Sequence, residues 1–292
     1  MKYTYLSALL VFALRSMAQP TFDVEGHRGC RGLLPENTIP AFINAVKLGV
    51  NTLELDMCVS KDGKIVVSHD RFMNDEICTK PDGTPVTADD KGKYNIHDLT
   101  YDEIKKFDCG SRGNAKFPDQ QKMAVYKPLL SDVIDTVEKY VKEHHLPPVY
   151  YNIETKSTAA GDGKLNPPPA EFVQMVYALI KEKGIISRCI LQSFDVRTLQ
   201  EMKKLDPKVT TALLVANTHG LSKNLAELGF KPDIYSPLYM LVHKHLIVKC
   251  HALGIKVLPW TIDDEKIMVK QKKMGVDGII TDYPDRAIKV LR

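Results

Sequence analysis

The chain has 292 residues, of which 44% are hydrophobic and 26% are charged, a balance typical of a globular protein rather than a disordered one. Its net charge is +4, from 40 basic and 36 acidic side chains, which is too small to indicate a nucleic-acid-binding surface. After the N-terminal segment, no apolar run approaches the roughly 18 residues that a transmembrane helix needs. The sequence therefore predicts no transmembrane anchor in the mature protein.

The first 18 residues have the pattern of a secretory signal peptide. A basic start, Met1-Lys2-Tyr3, precedes the apolar run "LSALLVFAL" of residues 6–14, and the small Ser16 and Ala18 follow. We expect cleavage after Ala18 and export to the periplasm or the medium. Because Arg15 is unusual so close to a cleavage site, a buried first helix or strand remains the alternative reading.

Short β-rich runs alternate with helical stretches along the rest of the chain, as in a parallel α/β fold. The predicted strands are Thr21–Gly26, Thr52–Met57, Val149–Thr155, Cys189–Ser193, Thr210–Val215, Asp233–Ser236, Lys256–Thr261 and Gly278–Thr281. The predicted helices are Thr38–Lys47, Ser131–Glu143, Ala170–Lys183, Arg197–Lys204, Ser222–Leu228, Met240–Ala252, Asp263–Lys273 and Pro284–Val290. Eight strands that are each followed by a helix predict a (β/α)8 TIM barrel in residues 19–292.

One interval, residues 71–127, interrupts this alternation. It is dense in Gly, Pro, Asp and Asn, and only Thr100–Phe107 has a helical pattern, opened by a Thr100–Glu103 capping box. We interpret it as a small subdomain inserted after the second strand. Of the six cysteines, Cys78 and Cys109 both lie in this interval, and none has the CxxC spacing of a zinc or redox site. A disulfide between these two and buried free thiols are both compatible with the sequence.

The second predicted strand carries two carboxylates on one face. Glu54 and Asp56 are two residues apart, so their side chains point the same way, while Leu53, Leu55 and Met57 point to the other face. Two buried carboxylates need a positive partner or a proton, and a hard divalent cation is the usual partner. The alternative is a solvated edge strand, which the apolar residues on the other face argue against.

The third predicted strand repeats this arrangement near its C-terminal end, where TIM barrels keep their active sites. Asn152, Glu154 and Lys156 share a face, and Glu154 could complete a three-carboxylate metal site. Lys156 would then lie close enough to contact an anionic substrate. An ordinary surface Glu–Lys pair is the alternative.

Two histidines are predicted to reach the same end of the barrel. His27 and Arg28 lie between glycines directly after the first strand, and the hairpin signature Lys61-Asp62-Gly63 folds His69 back toward the carboxylates. We expect the glycines beside His27 to let the backbone approach an anion. A metal ion, two imidazoles and two cations are the groups required to cleave a phosphate ester.

Three segments resemble the glycerophosphodiester phosphodiesterase family: "GHRGCRGLLPENTIPAFINAVKLGVNTLELDMCVSKDGKIVVSHD", "VYYNIETK" and "GVDGIITDYP". The resemblance runs from the first to the last strand. It implies a TIM barrel, a requirement for Ca²⁺ or Mg²⁺, and hydrolysis of a small glycerophosphodiester to glycerol 3-phosphate and an alcohol. It also implies that the inserted subdomain selects substrates. The length of that subdomain is typical of the exported members of the family.

Carried over by position, the resemblance assigns ten residues to the site. It implies His27 and His69 as the acid/base pair, Arg28, Lys156 and Trp260 as contacts of phosphate and glycerol, Glu54, Asp56 and Glu154 as metal ligands, and Glu36 and Asn37 as support for the His-Arg loop. Two other functions remain open on the same barrel. One is a lysophospholipase D or sphingomyelinase D-like lyase at a membrane surface, and the other is a barrel that binds polyol phosphates without catalysis.

Overall fold

A computed structural model of the protein describes residues 22–292. The predicted signal peptide, residues 1–18, lies outside the described residues. Among residues 22–292, no helix combines the length and the apolar character needed to cross a membrane.

Eight parallel strands form the central sheet, and a ninth strand pairs antiparallel with one of them. The strands are β1 (Asp23–Gly26), β2 (Thr52–Val59), β3 (Ile65–Val67), β4 (Tyr150–Thr155), β5 (Cys189–Ser193), β6 (Thr210–Val215), β7 (Ile234–Pro237), β8 (Lys256–Val257) and β9 (Gly278–Thr281). The order in the sheet is β8-β7-β6-β5-β4-β2-β1-β9, and β3 forms a hairpin with β2.

The sheet curls into a nearly closed barrel. Backbone hydrogen bonds join the two terminal strands of the sheet, from Asp277 N to Val257 O (2.9 Å) and from Ile280 N to Pro259 O (3.0 Å). Helices follow the strands and cover the outside: α1 (Ile39–Leu48), α2 (Tyr101–Ile104), α3 (Leu130–Glu143), α4 (Pro169–Glu182), α5 (Val196–Leu205), α6 (Leu221–Leu228), α7 (Lys244–Ala252), α8 (Glu265–Met274) and α9 (Pro284–Leu291). The predicted (β/α)8 TIM barrel is confirmed.

The two faces of each strand are separated as strand periodicity requires. Leu53, Leu55 and Met57 of β2 belong to the large apolar core that lies between the sheet and the helices. Glu54 and Asp56 of the same strand therefore project into the barrel interior, where both are almost completely buried.

Most predicted boundaries of the barrel's strands and helices lie within two residues of those in the structure, and two differ by more. The seventh predicted strand was expected to reach Thr261, but β8 ends at Val257; beyond that residue the segment still bonds to β7, since Trp260 donates its backbone N–H to Pro237 O (3.1 Å). The sixth predicted helix was expected to begin at Met240, but α7 begins at Lys244. His243 accounts for this later start, because its ring accepts a hydrogen bond from the backbone N–H of Leu246 as an N-cap.

Residues 71–127 contain only short helices and pack on the β2–β3 hairpin around an apolar cluster of their own. The buried members of that cluster include Cys58 and Val66 of the hairpin together with Ile96, Ile104 and Phe107. A disulfide joins Cys78 and Cys109, so the alternative of free thiols does not apply to this pair. Cys30, Cys58, Cys189 and Cys250 are free and buried.

Candidate active site

The turn after β1 holds His27 and Arg28 against the barrel rim. His27 donates its backbone N–H to Thr281 O (2.9 Å), and Arg28 has a positive φ of 50°. Gly29 follows with a φ of 86°, and a Cβ there would come within 2.8 Å of the backbone of Ala41 in α1.

Glycine is required at positions 26 and 29 by close packing, a requirement that was not predicted. A Cβ on Gly26 would lie 2.1 Å from Gly29 O, and the Gly29 N–H points to backbone oxygens of Gly26 and Glu54 rather than outward. That these glycines also let the backbone approach an anion stays a prediction. They allow a tight turn to pack on α1, and that packing fixes the direction of the two side chains.

Three carboxylates converge inside the barrel. Glu54, Asp56 and Glu154 each offer one oxygen atom, and these three oxygens lie within 4.8 Å of one another. The register explains the convergence, because Asp56 of β2 pairs with Glu154 of β4. Asp56 Oδ1 is buried without a hydrogen-bond partner, as expected of an atom that would ligate a cation. The donor set, all carboxylate oxygens, suits a hard divalent ion such as Ca²⁺ or Mg²⁺.

The protonation of these carboxylates is governed by burial and by their mutual repulsion. Burial, reinforced by the charges of Asp56 and Glu154, raises the pKa of Glu54 well above its usual range. Burial also raises the pKa of Glu154, against the opposing effect of Lys156. For Asp56, burial acts in the same direction, but Lys156 and Arg28 outweigh it and hold its pKa far below the ordinary value.

Two cations balance the cluster. Lys156 Nζ donates to Glu154 Oε1 (2.8 Å) and lies 3.7 Å from Asp56 Oδ1. Arg28 Nη1 donates to Glu36 Oε1 (2.9 Å), and Arg28 Nε lies 3.4 Å from Asp56 Oδ2. Lys156, predicted to contact an anionic substrate, thus pairs with two of the three carboxylates.

Glu36 and Asn37 hold the His-Arg turn in place. Asn37, with a φ of 57°, donates its Nδ2 to Asp56 Oδ2 (2.8 Å) and its backbone N–H to Arg28 O (3.0 Å). Glu36 fixes the Arg28 guanidinium as described above. The two residues therefore connect the turn to the carboxylate cluster.

His27 is buried and oriented by an acid directly after the last strand. Its Nδ1 lies 2.5 Å from Asp282 Oδ1, while its Nε2 lies 3.9 Å from Glu54 Oε2. Burial is the main reason that the pKa of His27 falls to about 4; Asp282 opposes this fall, and Arg28 adds to it. The ring is therefore neutral at pH 7. With an Nδ1–H donated to Asp282, its Nε2 would carry a free lone pair.

His69 is held differently. It lies just after β3, its side chain is 33% exposed, and its Nδ1 lies 3.1 Å from Asp70 Oδ1. Asp70 is fixed in turn by Asn74, whose Nδ2 donates to Asp70 Oδ2 (2.6 Å).

A cavity of about 160 Å³, here called the barrel cavity, joins these groups. Its lining includes two aromatic residues, Trp260 and Phe194, and six polar or charged ones: His27, Arg28, Glu54, His69, Glu154 and Lys156. The two aromatic rings meet edge to face with centroids 5.5 Å apart, and Trp260 Nε1 donates to Ser236 O (2.8 Å). Seven of the eight residues predicted to touch substrate or metal line this cavity. The eighth, Asp56, lies 3.7 Å from Lys156, so the structure brings all eight into one region.

Sequence reasoning missed four residues of this region: Asp282, Gln192, Asp70 and Phe194. Asp282 could have been found from alternation, because Gly278, Ile280 and Asp282 share the inward face of β9 and its extension. The same period places Gln192 on the inward face of β5, where its Nε2 donates to Glu54 Oε1 (2.6 Å). Phe194 lies beyond the end of a strand, and its position depends on tertiary contacts.

Comparison with known proteins gives a consistent result. A model of the glycerophosphoryl diester phosphodiesterase family matches residues 27–286. The glycerophosphodiester phosphodiesterase of Caldanaerobacter subterraneus subsp. tengcongensis is 32% identical over 271 residues, which is 92% of this chain and 97% of that protein.

Two crystal structures extend the comparison. A glycerophosphoryl diester phosphodiesterase from Silicibacter pomeroyi, so named provisionally, superposes with a TM-score of 0.82 at 29% identity and covers 93% of both chains. A phosphodiesterase from Oleispira antarctica, in complex with the product sn-glycerol-3-phosphate, superposes with a TM-score of 0.71 at 22% identity, covering 92% of this chain and 96% of its own. The second likeness concerns the fold alone. On the family match and the Caldanaerobacter relative, the chain belongs to the glycerophosphoryl diester phosphodiesterase family.

Proposed function

We propose that the protein hydrolyses glycerophosphodiesters to glycerol 3-phosphate and an alcohol, with one divalent cation bound by Glu54, Asp56 and Glu154. The observation that carries the proposal is the convergence of these three carboxylates, within 4.8 Å, beside a cavity that two histidines also line. Family membership supports the same reaction.

The chain's own cations would orient the phosphate. Arg28 and Lys156 both line the barrel cavity and both retain their charge at neutral pH, so they can neutralise phosphoryl oxygens. When bound, Ca²⁺ or Mg²⁺ would supply further electrostatic stabilisation of charge on those oxygens. Trp260 and Phe194 would pack against the carbon atoms of the glycerol.

The two histidines would divide the proton transfers. His27 is neutral at pH 7 and its Nδ1 is held by Asp282, so its Nε2 can take the proton of the attacking oxygen. His69 is oriented by Asp70 and is partly open to solvent, so it can deliver a proton to the leaving alcohol. The attacking oxygen belongs either to water or to the neighbouring glycerol hydroxyl. In the second case the alcohol leaves as a cyclic phosphate forms, and water then opens the ring to give glycerol 3-phosphate.

We also propose that the protein is exported. The pattern of residues 1–18 supports this, and so does the Cys78–Cys109 disulfide, since disulfides persist in oxidising compartments.

The test is hydrolysis of glycerophosphocholine, glycerophosphoethanolamine and glycerophosphoglycerol, with a coupled assay for glycerol 3-phosphate, before and after treatment with a chelator. We expect glycerol 3-phosphate from at least one diester, loss of activity after chelation, and recovery with Ca²⁺ or Mg²⁺. Activity unchanged by the chelator would contradict the metal requirement. Release of a phosphorylated alcohol and free glycerol would contradict the proposed bond cleavage.

A second candidate, lysophospholipase D activity, is favoured by one observation. Phe72 and Phe194 are 39% and 46% exposed beside the site, and such side chains could contact an acyl chain or a lipid surface. Comparison of lysophosphatidylcholine with glycerophosphocholine separates the two reactions. Binding of glycerol 3-phosphate without hydrolysis of any diester would instead support a binding barrel.

A further inference from the structure

A second cavity, of about 250 Å³, adjoins the barrel cavity on the side of the inserted residues 71–127. We call it the insertion cavity. It shares Arg28, Arg31 and His69 with the barrel cavity, and its outer wall includes Phe72, Asp75 and Glu76. A diester whose phosphate lies at Arg28 and His69 could therefore place its glycerol in one cavity and its other alcohol in the second.

Two arginine side chains, Arg28 and Arg31, lie at the junction between the cavities and could bind an anion there. Arg28 is only 7% exposed; its Nη1 donates to Glu36, and its buried Nε, 3.4 Å from Asp56 Oδ2, forms no hydrogen bond. Arg31 is fixed there by Asp282, to which its Nε and Nη2 donate at 2.9 and 2.8 Å. These guanidinium groups mark the phosphate position, and the outer wall of the insertion cavity lies beyond it.

The outer wall has the opposite charge. Apart from Arg28, Arg31 and Glu36, the charged residues that line the insertion cavity are three carboxylates, Asp70, Asp75 and Glu76, and one ammonium, Lys116. Lys116 Nζ pairs with Glu76 at 2.8 Å, and Asp70 accepts from His69 and Asn74. Among residues 22–292, the Asp75 carboxylate forms no hydrogen bond or ion pair, so one negative charge is uncompensated at this wall.

Phe72 adds an exposed aromatic ring to the same wall. An aromatic face together with a carboxylate is the chemistry that binds alkylammonium groups, because both attract a poorly hydrated cation. We infer that the insertion cavity receives the alcohol part of the diester and favours alcohols that carry a cationic nitrogen, such as choline and ethanolamine. The inference rests on the proposed function and adds a substrate preference to it.

The experiment compares two diesters that differ in one charge. Glycerophosphocholine is measured against its carbon isostere, the glycerophosphodiester of 3,3-dimethylbutanol, and the ratio of their kcat/KM values is the readout. We expect a ratio of about ten in the wild-type protein. Asp75→Asn should lower the ratio to about three, mainly by slowing hydrolysis of the choline ester.

Two further variants test the sign of the effect. Lys116→Gln should raise the ratio about threefold, because it leaves Glu76 unpaired, whereas Phe72→Leu should lower the ratio. Asp89→Asn is the matched control, since Asp89 is exposed in the same insertion, does not line the cavity, and undergoes the same chemical change.

The outcomes separate the inference from the proposed function. A wild-type ratio near one, or variants that change both rates equally, would overturn the charge preference while leaving hydrolysis intact. Failure to hydrolyse either diester would refute the proposed function itself. If Asp75→Asn does not fold, the wild-type ratio and the Lys116→Gln variant still decide the question.

Discussion

The interior of the barrel has two unlike halves. The polar half consists of Glu25, Glu54, Asp56, Asn152, Glu154 and Gln192, which come from β1, β2, β4 and β5. The apolar half consists of Ile190, Ala212, Leu214, Ile234 and Leu258, from β5 to β8 and the segment after it. The same backbone geometry thus carries charge on one side and a hydrocarbon wall on the other.

Amide side chains make the polar half possible. Asn152 Nδ2 donates to Glu25 Oε2 (2.7 Å) and to Gln192 Oε1 (3.2 Å), and Gln192 in turn donates to Glu54. These bonds satisfy buried oxygens that would otherwise be costly. The apolar half supplies no such partners, so it can exclude water but cannot hold a charge. The comparison teaches that the carboxylates come from one set of strands and most of the apolar wall from another, with β5 at the boundary because it contributes Gln192 to the polar half and Ile190 to the apolar half.

The largest expected effect is on catalysis by the polar half. His27→Gln should lower kcat/KM about a thousandfold, since it removes the neutral imidazole held by Asp282. Steady-state kinetics on glycerophosphocholine measure this change. His245→Gln, the same exchange at an exposed position on α7, serves as the control and should keep the wild-type rate. A His27→Gln protein with more than a tenth of wild-type activity would exclude His27 as an acid or base.

The same variant should change how stability depends on pH. The pKa of His27 is about 4 in the folded protein, below its ordinary value of 6.5, so the unfolded chain binds more protons between these two values. Wild-type stability is therefore lost as the pH falls from 7 to 4, by about 3 kcal/mol from this group. Urea unfolding of wild type and His27→Gln at several pH values tests this, and parallel curves would show that the ring is not buried in its neutral form.

A smaller effect is expected on cation binding. Ca²⁺ or Mg²⁺ at a hundred times its Kd should stabilise the wild-type protein by about 2.7 kcal/mol. Asp56→Asn should lose most of this gain, because it removes one ligand charge, whereas Asp89→Asn should keep it. Thermal unfolding with and without the cation gives the comparison independently of activity. Equal stabilisation of wild type and Asp56→Asn would place the cation elsewhere.

Asp282→Asn should lower kcat by about ten- to a hundredfold, because the amide cannot hold the Nδ1–H of His27 as a carboxylate does. Asp282 also binds Arg31, so the KM should rise as well. Asp263→Asn is a suitable control, since its side chain contacts Asp282 N rather than His27. A kcat unchanged by Asp282→Asn would mean that burial alone orients the imidazole.

Much of the polar half could be predicted from sequence, because the face on which a strand residue lies depends only on its position relative to its neighbours in the chain. Spacing alone placed Glu54 with Asp56 and aligned Glu154 with Lys156, and the parallel register of β2 and β4 then brought the two pairs together. The acid/base roles of His27 and His69 were inferred from two imidazoles beside carboxylates and cations, and the family resemblance implies the same roles. They remain predictions, as does the metal set, until the kinetics are measured.

What could not be predicted depends on contacts between distant segments. The Asp282–His27 pair joins residues 255 positions apart, and the Phe194–Trp260 wall joins two loops. Gly26 and Gly29 were predicted to serve an anion, but their close packing on the turn and α1 is visible only in three dimensions. The early end of β8 could not be predicted either: backbone hydrogen bonds from Leu258 to Tyr235 O and from Trp260 to Pro237 O still join the following segment to β7, although the regular strand stops at Val257.

The smallest expected effect concerns the apolar half. Ile234→Val removes one methylene from a position that is 4% exposed and packs with Ile190, Ala212 and Leu258, so it should cost about 1 kcal/mol of unfolding free energy. Because none of these four side chains offers a polar atom to the site, kcat/KM should stay within a factor of about two of the wild-type value. Denaturant unfolding and kinetics on the same preparation check both numbers. A loss of activity larger than the loss of stability would show that the hydrocarbon wall also positions the carboxylates across the barrel, and the division between the two halves would then no longer hold.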